Sequence, residues 1–278
     1  MSEGTQGERS RERDRLSILL AMTLVSVALF RFVELPSFSW SLNRVLGSPL
    51  GFTIGGNWIL TALLMGLVAA GTLSLMQTHP HRDAPERPLS ISLIAPTLGA
   101  LLASLLLSRT STWPVWLLLL GVTGLTIGIL EHLSYRAFSA RDSGYATART
   151  VLNIIDYLLG FALFGLILSE QGRTLITGPA VLLLTTLLAL DLLSASGAPI
   201  RKVLLFGVIC GLLGGQFTWL LSYWPISFWM SATLLSLNLY LWSGLSYQYL
   251  LQRLTRRVLV EFALLTLLVF VLLLWLRP

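Results

Sequence analysis

Long apolar runs separated by short polar connections dominate the pattern of this chain. Nine runs approach the length of a membrane span, because a hydrocarbon core about 30 Å thick takes roughly 20 helical residues. Barrel strands are excluded for these runs, since such strands alternate apolar and polar residues over about ten positions. The pattern predicts an all-α polytopic transmembrane helical bundle of about nine spans, at residues 16–33, 57–76, 89–107, 114–133, 151–169, 175–193, 202–221, 226–248 and 258–276.

Composition and the first run define the expected domains. The chain is 55% hydrophobic and 12% charged, whereas about a quarter of the residues of a soluble domain are charged. Residues 1–15 are polar and are predicted to form a disordered cytoplasmic tail. Residues 16–278 are predicted to form one transmembrane domain. The run 16–33 is interpreted as a retained signal anchor, because it is longer than a signal-peptide core and no small-residue cleavage site follows it.

Basic residues fall mainly in alternate connections, which sets the expected orientation. Cytoplasmic connections carry the excess of Lys and Arg in membrane proteins. Of the 19 basic residues, fourteen lie in the N-terminal tail and the even-numbered connections: Arg9, Arg11, Arg13, Arg15, Arg82, Arg87, Arg136, Arg141, Arg149, Arg201, Lys202, Arg253, Arg256 and Arg257. We therefore expect the N-terminus in the cytoplasm and the C-terminus outside.

Tryptophan gives an independent indication of the same orientation. Indole rings prefer the headgroup level of a bilayer, where the ring is in an apolar medium and its N–H reaches water. Eight of the nine tryptophans fall at or near the side with few basic residues: Trp40, Trp58, Trp113, Trp116, Trp219, Trp224, Trp229 and Trp275. The aromatic belt and the charge distribution agree on nine spans.

Residues with reactive or metal-binding side chains are sparse. Cys210 is the only cysteine, which excludes an intrachain disulfide and multi-cysteine metal motifs. His79 and His81 flank a proline in a connection and His132 ends a helix, so these residues do not share a helix face as i, i+4 ligands would. We expect no metal and no cofactor, and the sequence favours a non-enzyme. Nucleic-acid binding is not expected, because the basic residues occur in small groups beside the membrane.

Carboxylates within or near the spans are the candidate functional groups, because a charge buried in lipid is costly. There are four of them: Glu131, Asp156, Asp191 and Glu261. Three have basic residues nearby in the sequence, and interfacial ion pairs are their expected role: Glu131 with Arg136, Asp191 with Arg201 or Lys202, and Glu261 with Arg257.

Asp156 lies deeper and defines a candidate polar membrane site. It shares a helix face with Asn153, three residues earlier. A carrier could use this carboxylate to bind a proton or cation, and the alternative is an interhelical hydrogen bond or a pair with Arg149. Polar residues on two later helices could line an outward-facing cavity and complete the candidate site, although an interfacial aromatic belt explains some of the same residues: Gln216, Asn238 and Tyr240.

Glycines recur at helical spacing and predict close helix packing. They are Gly207, Gly211 and Gly215 in the seventh run, and Gly124 and Gly128 in the fourth. Such a stripe lets another backbone approach. The partner is either another helix of this chain, which we favour, or a second membrane subunit. A further glycine-rich segment, 34–56, is the longest external connection and could lie in the interface or enter the membrane as a re-entrant turn.

The C-terminal half resembles an uncharacterised family of bacterial polytopic membrane proteins. The resemblance is carried by the Tyr145–Tyr157 segment, by Ser222-Tyr223-Trp224-Pro225, by the residues from Leu239 to Leu245 and by those from Arg253 to Glu261. It implies a multi-pass protein of the bacterial inner membrane and no particular activity. The single lysine against eighteen arginines agrees with a GC-rich bacterial source.

Two functions remain after these considerations. The first, which the sequence favours, is a non-catalytic membrane protein: a scaffold, assembly or interaction subunit. Its partners are the lipid bilayer and other membrane subunits that contact the glycine stripe and the aromatic end of the seventh run. The second is a small-molecule or ion carrier in which Asp156 is the coupling or binding carboxylate.

Overall fold

The computed structural model describes residues 21–28, 38–45, 48–54, 56–77, 79, 88–140, 144–169 and 174–275. Residues 21–28 are helical and are called α1. The elements that follow are β1 (Phe38–Val45), β2 (Ser48–Ile54), α2 (Gly56–Gln77), α3 (Leu89–Ser92), α4 (Ile94–Ser108), α5 (Trp113–Arg136), α6 (Tyr145–Ser169), α7 (Thr174–Ser194), α8 (Ile200–Ser222), α9 (Phe228–Leu250) and α10 (Arg256–Trp275). The predicted tail, residues 1–15, lies outside the described residues.

The apolar runs form helices, as predicted. Within the described residues, six helical stretches are long and apolar enough to cross a membrane: Asn57–Gln77, Leu89–Ser108, Trp113–Arg136, Tyr145–Ser169, Ile176–Ser194 and Ile200–Ser222. Helices α9 and α10 are not among these six; α9 contains Asn238 and several tyrosines. The helical apolar bundle is therefore confirmed, and the count of nine spans stays a prediction.

Residues 38–54 are the exception to the all-α prediction. Strands β1 and β2 pair antiparallel, with Phe38 opposite Ile54 and Leu42 opposite Leu50. The register is irregular between Leu42 and Val45. Aromatic and β-branched residues, which favour strands, occur in both strands: Phe38, Trp40, Val45, Phe52, Thr53 and Ile54. The segment considered for a re-entrant turn is therefore a β-hairpin in its described part.

The chain divides into two compact units. Unit 1 takes its described residues from 21–79 and 96–136, and unit 2 from 88–95 and 137–275. The apolar core of unit 1 joins four helices and consists of Val27, Leu64, Val68, Ala100, Leu107, Trp116 and Ile127. Helix α4 also packs closely on α5, since a Cβ at Gly99 would lie 2.6 Å from a methyl carbon of Leu130.

Unit 2 is held together by close packing of α6 through α9. Gly160 of α6 lies against Leu188 of α7 and Leu239 of α9. A Cβ at Gly160 would lie 3.0 Å from a methyl carbon of Leu188 and 3.4 Å from one of Leu239. Further along the same pair of helices, Gly165 faces Trp229 and Ala232. The residue numbers increase along α6 while those of the contacting residues decrease along α9, so the two helices run antiparallel. This arrangement fixes which polar residues of α6 and α9 share a level.

Helix ends in this region follow from local sequence. Pro96 lacks the N–H that would bond the carbonyl of Ser92, and the helix breaks at Leu93 between α3 and α4. Helix α9 begins at an N-cap, where the Ser227 side chain accepts a hydrogen bond from the Met230 amide. Gly197, with a φ of 65°, occupies the left-handed conformation in the short α7–α8 connection.

Candidate polar site in unit 2

Arg149 and Asp191 form a buried ion pair between α6 and the end of α7. The Arg149 Nη1 and the Asp191 Oδ1 are 2.8 Å apart, and the two side chains are 6% and 1% exposed. The other terminal nitrogen of Arg149 donates to the backbone carbonyl of Asp191 and, at 3.5 Å, to that of Leu192. Ser194 donates to the same Asp191 carbonyl at 2.6 Å.

This cluster satisfies the C-terminal end of α7. The last four carbonyls of a helix have no intrahelical partner, and α7 ends at Ser194. The guanidinium supplies donors to two of these carbonyls and places a positive charge at the negative end of the helix dipole. Arg149 therefore fastens α6 to α7 through both charge and backbone hydrogen bonds.

The sequence assigned these two residues to other partners, and the structure corrects both assignments. Asp191 was expected to pair with Arg201 or Lys202, but both are exposed at the start of α8 and Asp191 binds Arg149. A pair between Arg149 and Asp156 was one alternative for Asp156, and the hydrogen bonds of the guanidinium go to α7 instead. The two residues are 42 positions apart in the sequence. Spacing along the chain does not predict contacts over such a separation.

Asp156 is completely buried in α6, at 0% exposure. It lies on the same helix face as Arg149 and Leu152, which are also buried. Seven residues separate Arg149 and Asp156, so their backbones are about 10 Å apart along the helix. The carboxyl is thus enclosed by protein within a helix that is apolar enough to span a membrane.

A hydroxyl network connects α6 to α9 beside Asp156. The Tyr157 hydroxyl lies 3.1 Å from the Ser243 Oγ, and that Oγ donates to the Leu239 carbonyl at 2.6 Å. Because the single serine proton is used in this bond, Tyr157 is the donor to Ser243. The ring centres of Tyr240 and Tyr157 are 5.8 Å apart. The Tyr240 ring also contacts Phe262 of α10, with ring centres 5.4 Å apart.

Two buried amide oxygens occur on the same two helices, at Asn153 and Asn238. Asn153 is one turn before Tyr157 on α6, and Asn238 is adjacent to Leu239, which packs on Gly160. The side-chain oxygen of each asparagine is buried without a hydrogen-bond partner among the described residues. Tyr240 contacts Tyr157 across the α6–α9 seam, and Asn153 and Asp156 lie within about one turn of Tyr157 on α6. Asn238 lies about 140° around α9 from Ser243, so it does not share the face that meets Tyr157.

Gln216 lies apart from that seam. It is exposed on α8 and borders a groove of about 410 Å³ between α7 and α8, together with Gly178, Pro179, Leu182 and Trp219. The groove is almost entirely apolar, and no α9 residue lines it. The structure does not bring Gln216 to the other members of the predicted site.

The glycine stripe of α8 packs against α7 within the chain. Gly207 faces Leu190, and Gly215 faces Leu182. A Cβ at Gly211 would lie 2.7 Å from the Leu182 carbonyl oxygen and would also clash with Thr186. The predicted close approach is present, and its partner is an internal helix.

The glycines of α5 have a different environment in unit 1. A Cβ at Gly124 would lie 2.8 Å from a methyl carbon of Leu24 in α1. Gly124 and Gly128 also line an apolar groove of about 480 Å³ that extends to His132. Among the residues that line this groove, His132 is the one whose side chain can carry a charge.

The remaining candidate residues divide into confirmed and corrected predictions. Arg257 and Glu261 form the expected ion pair at 3.0 Å, with both side chains exposed. Cys210 is buried as a small residue, 3.8 Å from the Ser246 hydroxyl. Glu131 was expected to pair with Arg136, but Arg136 is exposed and Glu131 is fully buried without that contact.

In the described part of the chain, no three His, Cys, Asp or Glu side chains are grouped to hold a metal ion.

The fold and these sites together define a helical membrane protein with ionisable side chains in its interior. The chain belongs to DUF5656, a family of proteins of unknown function, whose model matches residues 38–276. This match agrees with the resemblance to an uncharacterised family and extends it over most of the chain. Comparison with the curated proteins and with the solved structures gives no match.

Proposed function

We propose that the protein is a carrier for protons or small cations and that Asp156 is its binding carboxylate. The observation that carries this proposal is the complete burial of Asp156 inside α6. An ionisable residue enclosed in a membrane helix is costly, and such residues commonly mark ion and proton pathways. The Arg149 guanidinium is held by Asp191 and the end of α7, so its hydrogen bonds are not directed to Asp156.

Oxygen atoms along the α6–α9 seam fit the same ligand class. The buried amide oxygen of Asn153 is an acceptor, and the Tyr157–Ser243 pair adds two hydroxyls. Carboxylate, amide and hydroxyl oxygens are the groups that hard cations prefer, and the same groups pass protons. The proposed path follows the seam between these two helices.

The assembly hypothesis receives less support. It depended on the glycine stripe of α8 and on the aromatic outer end of that helix as contact surfaces for another subunit. Gly207, Gly211 and Gly215 face α7 side chains and backbone, so a partner subunit would have to bind a different face. We therefore put the carrier forward as the proposal, and a subunit bound at another face is the alternative.

The proposed carrier crosses a bacterial inner membrane nine times, with its N-terminus in the cytoplasm. In addition to the charge distribution, exposed indoles support this topology. Five tryptophans are about half exposed or more and lie near helix ends on the proposed outer side: Trp58, Trp113, Trp219, Trp229 and Trp275. Indoles at that depth would lie in the headgroup region.

Single-cysteine labelling tests the topology. In a Cys210→Ala background, Ser111→Cys in the α4–α5 connection should react with a membrane-impermeant maleimide added to intact cells. Ala198→Cys in the α7–α8 connection should react only after the membrane is opened. Both substitutions are small, and both sites lie outside the helices. Labelling of both positions from the same side would contradict the nine-span arrangement.

Transport by proteoliposomes tests the role of Asp156. Asp156→Asn keeps the size of the side chain and removes its ionisable group, so cation flux or cation-driven proton movement should fall at least tenfold. A pH-sensitive dye inside the vesicles reports proton movement, and isotopic Na⁺ or K⁺ uptake reports the alternative cations. Glu261→Gln is the control, because that carboxylate is exposed and paired with Arg257, and it should retain flux. Equal flux in wild type and Asp156→Asn would remove Asp156 from the mechanism.

A further inference from the structure

Unit 1 also contains a buried carboxyl group, Glu131, which plays no part in the proposed carrier site. Glu131 is 0% exposed, and neither of its carboxyl oxygens has a hydrogen-bond partner among the described residues. Ser134, on the same face of α5, is 1% exposed, and its hydroxyl is likewise unpartnered there. Two unsatisfied polar groups one turn apart in an apolar core require a physical explanation.

The helices that pack on this face provide no counter-charge. Helices α2 and α4 contain no Asp, Glu, Lys, Arg or His, and neither does the described part of α1. Leu130, next to Glu131, packs on Gly99 of α4, and Glu131 itself is fully buried.

Titratable groups do occur nearby, but each is directed elsewhere. Arg136 is exposed at the end of α5. His79, which follows α2, is buried with its ring 4.5 Å from the ring of Tyr135. His132 borders the apolar groove beside Gly128. None of the three forms a hydrogen bond with the Glu131 carboxyl.

We propose that Glu131 is a proton-binding site and that the native protein holds it as a neutral carboxylic acid. An ionised carboxylate buried without a partner costs several kcal/mol, and binding a proton removes that charge. A proton needs no further ligands, whereas a metal cation needs several oxygens around it. Ser134 is the polar side chain one turn away that can exchange a hydrogen bond with the acid. The site lies in a different unit from Asp156 and does not depend on the carrier proposal.

Infrared spectroscopy of the full-length protein in lipid tests this site directly. Wild type at neutral pH should show the C=O stretching band of a protonated carboxyl, and Glu131→Gln should lose it. Labelling all glutamates with ¹³C should shift that band, which separates Glu131 from Asp156 without any substitution. Glu261→Gln, at an exposed and ion-paired position, should keep the band. A ¹³C-labelled wild type without a protonated glutamate band would overturn the proposal, as would an unchanged band in Glu131→Gln.

The pH dependence of thermal stability gives a second test. If the native state holds a proton on Glu131 that the unfolded state releases, native stability falls as the pH rises. Glu131→Gln resembles the neutral acid, so its melting temperature should match wild type at low pH and exceed it at high pH. Parallel pH curves for the two proteins would contradict a bound proton. Addition of Na⁺ or K⁺ should not alter the difference, and an ion-specific shift would show a metal-cation site instead.

Discussion

Replacing Arg149 with glutamine should lower the free energy of unfolding by about 3–5 kcal/mol, the range measured when one member of a buried ion pair is removed. The substitution leaves the Asp191 carboxylate at 1% exposure without its cation. It also removes the donors that satisfy the carbonyls of Asp191 and Leu192 at the end of α7. Unfolding in mixed detergent micelles, followed by circular dichroism, measures the loss.

Two control proteins separate the pair from a general effect of lost charge. Arg257→Gln breaks an exposed pair with Glu261 and should cost less than about 1 kcal/mol. The double variant Arg149→Met with Asp191→Leu removes both buried charges and should recover much of the stability. If Arg149→Gln were no more destabilising than Arg257→Gln, the pair would have no structural role.

Replacing Gly211 with alanine should also destabilise the protein strongly. The new Cβ would lie 2.7 Å from the Leu182 carbonyl oxygen and would clash with Thr186. Since a backbone oxygen cannot rotate away, α7 and α8 would have to separate, and overpacked cores cost about 1–3 kcal/mol or more. The same unfolding titration measures the effect, and disulfide cross-linking between α7 and α8 should become less efficient.

Gly66→Ala is the matched control for this substitution. Gly66 is also within a long helix, but no atom lies within 4 Å of its built Cβ. Alanine favours the helix over glycine by about 0.5–1 kcal/mol, so this variant should be as stable as wild type or slightly more stable. Equal effects at Gly66 and Gly211 would show that helix propensity, and not the α7–α8 contact, determines the result.

The helices could be predicted from sequence because their apolar runs are long and uninterrupted. The run 202–221 corresponds to α8 and the run 226–248 to α9, with ends within two residues. The run 151–169 misses the beginning of α6, which starts at Tyr145. That first turn and a half is polar, and hydropathy does not detect a helix that continues beyond an apolar core. The β-hairpin was missed because two short strands carry a weak pattern inside a long connection.

The polar contacts could be predicted only where they are local. Arg257 and Glu261 are four residues apart on one helix, and helical geometry alone brings them together. The Arg149–Asp191 pair depends on how α6 packs against α7, which sequence spacing does not determine. Glu131 shows the same limit, because Arg136 is close in sequence but points away from the face of α5 that is buried. Gln216 and Asn238 lie on neighbouring helices, but Gln216 borders the groove between α7 and α8, which Asn238 does not line.

The break at Leu93 has a consequence for attempts to express this protein in pieces. The stretch Leu89–Ser108 begins in unit 2 and passes into unit 1 at residue 96. A gene split between residues 140 and 144 would leave α3 on the fragment that carries unit 1, although α3 packs on α7 of the other fragment. Ile91 and Ser92, which are buried in the intact protein, would be exposed unless both polypeptides were made in the same cell. Co-expressed halves should therefore reassociate through this short helix, and each half alone should be prone to degradation.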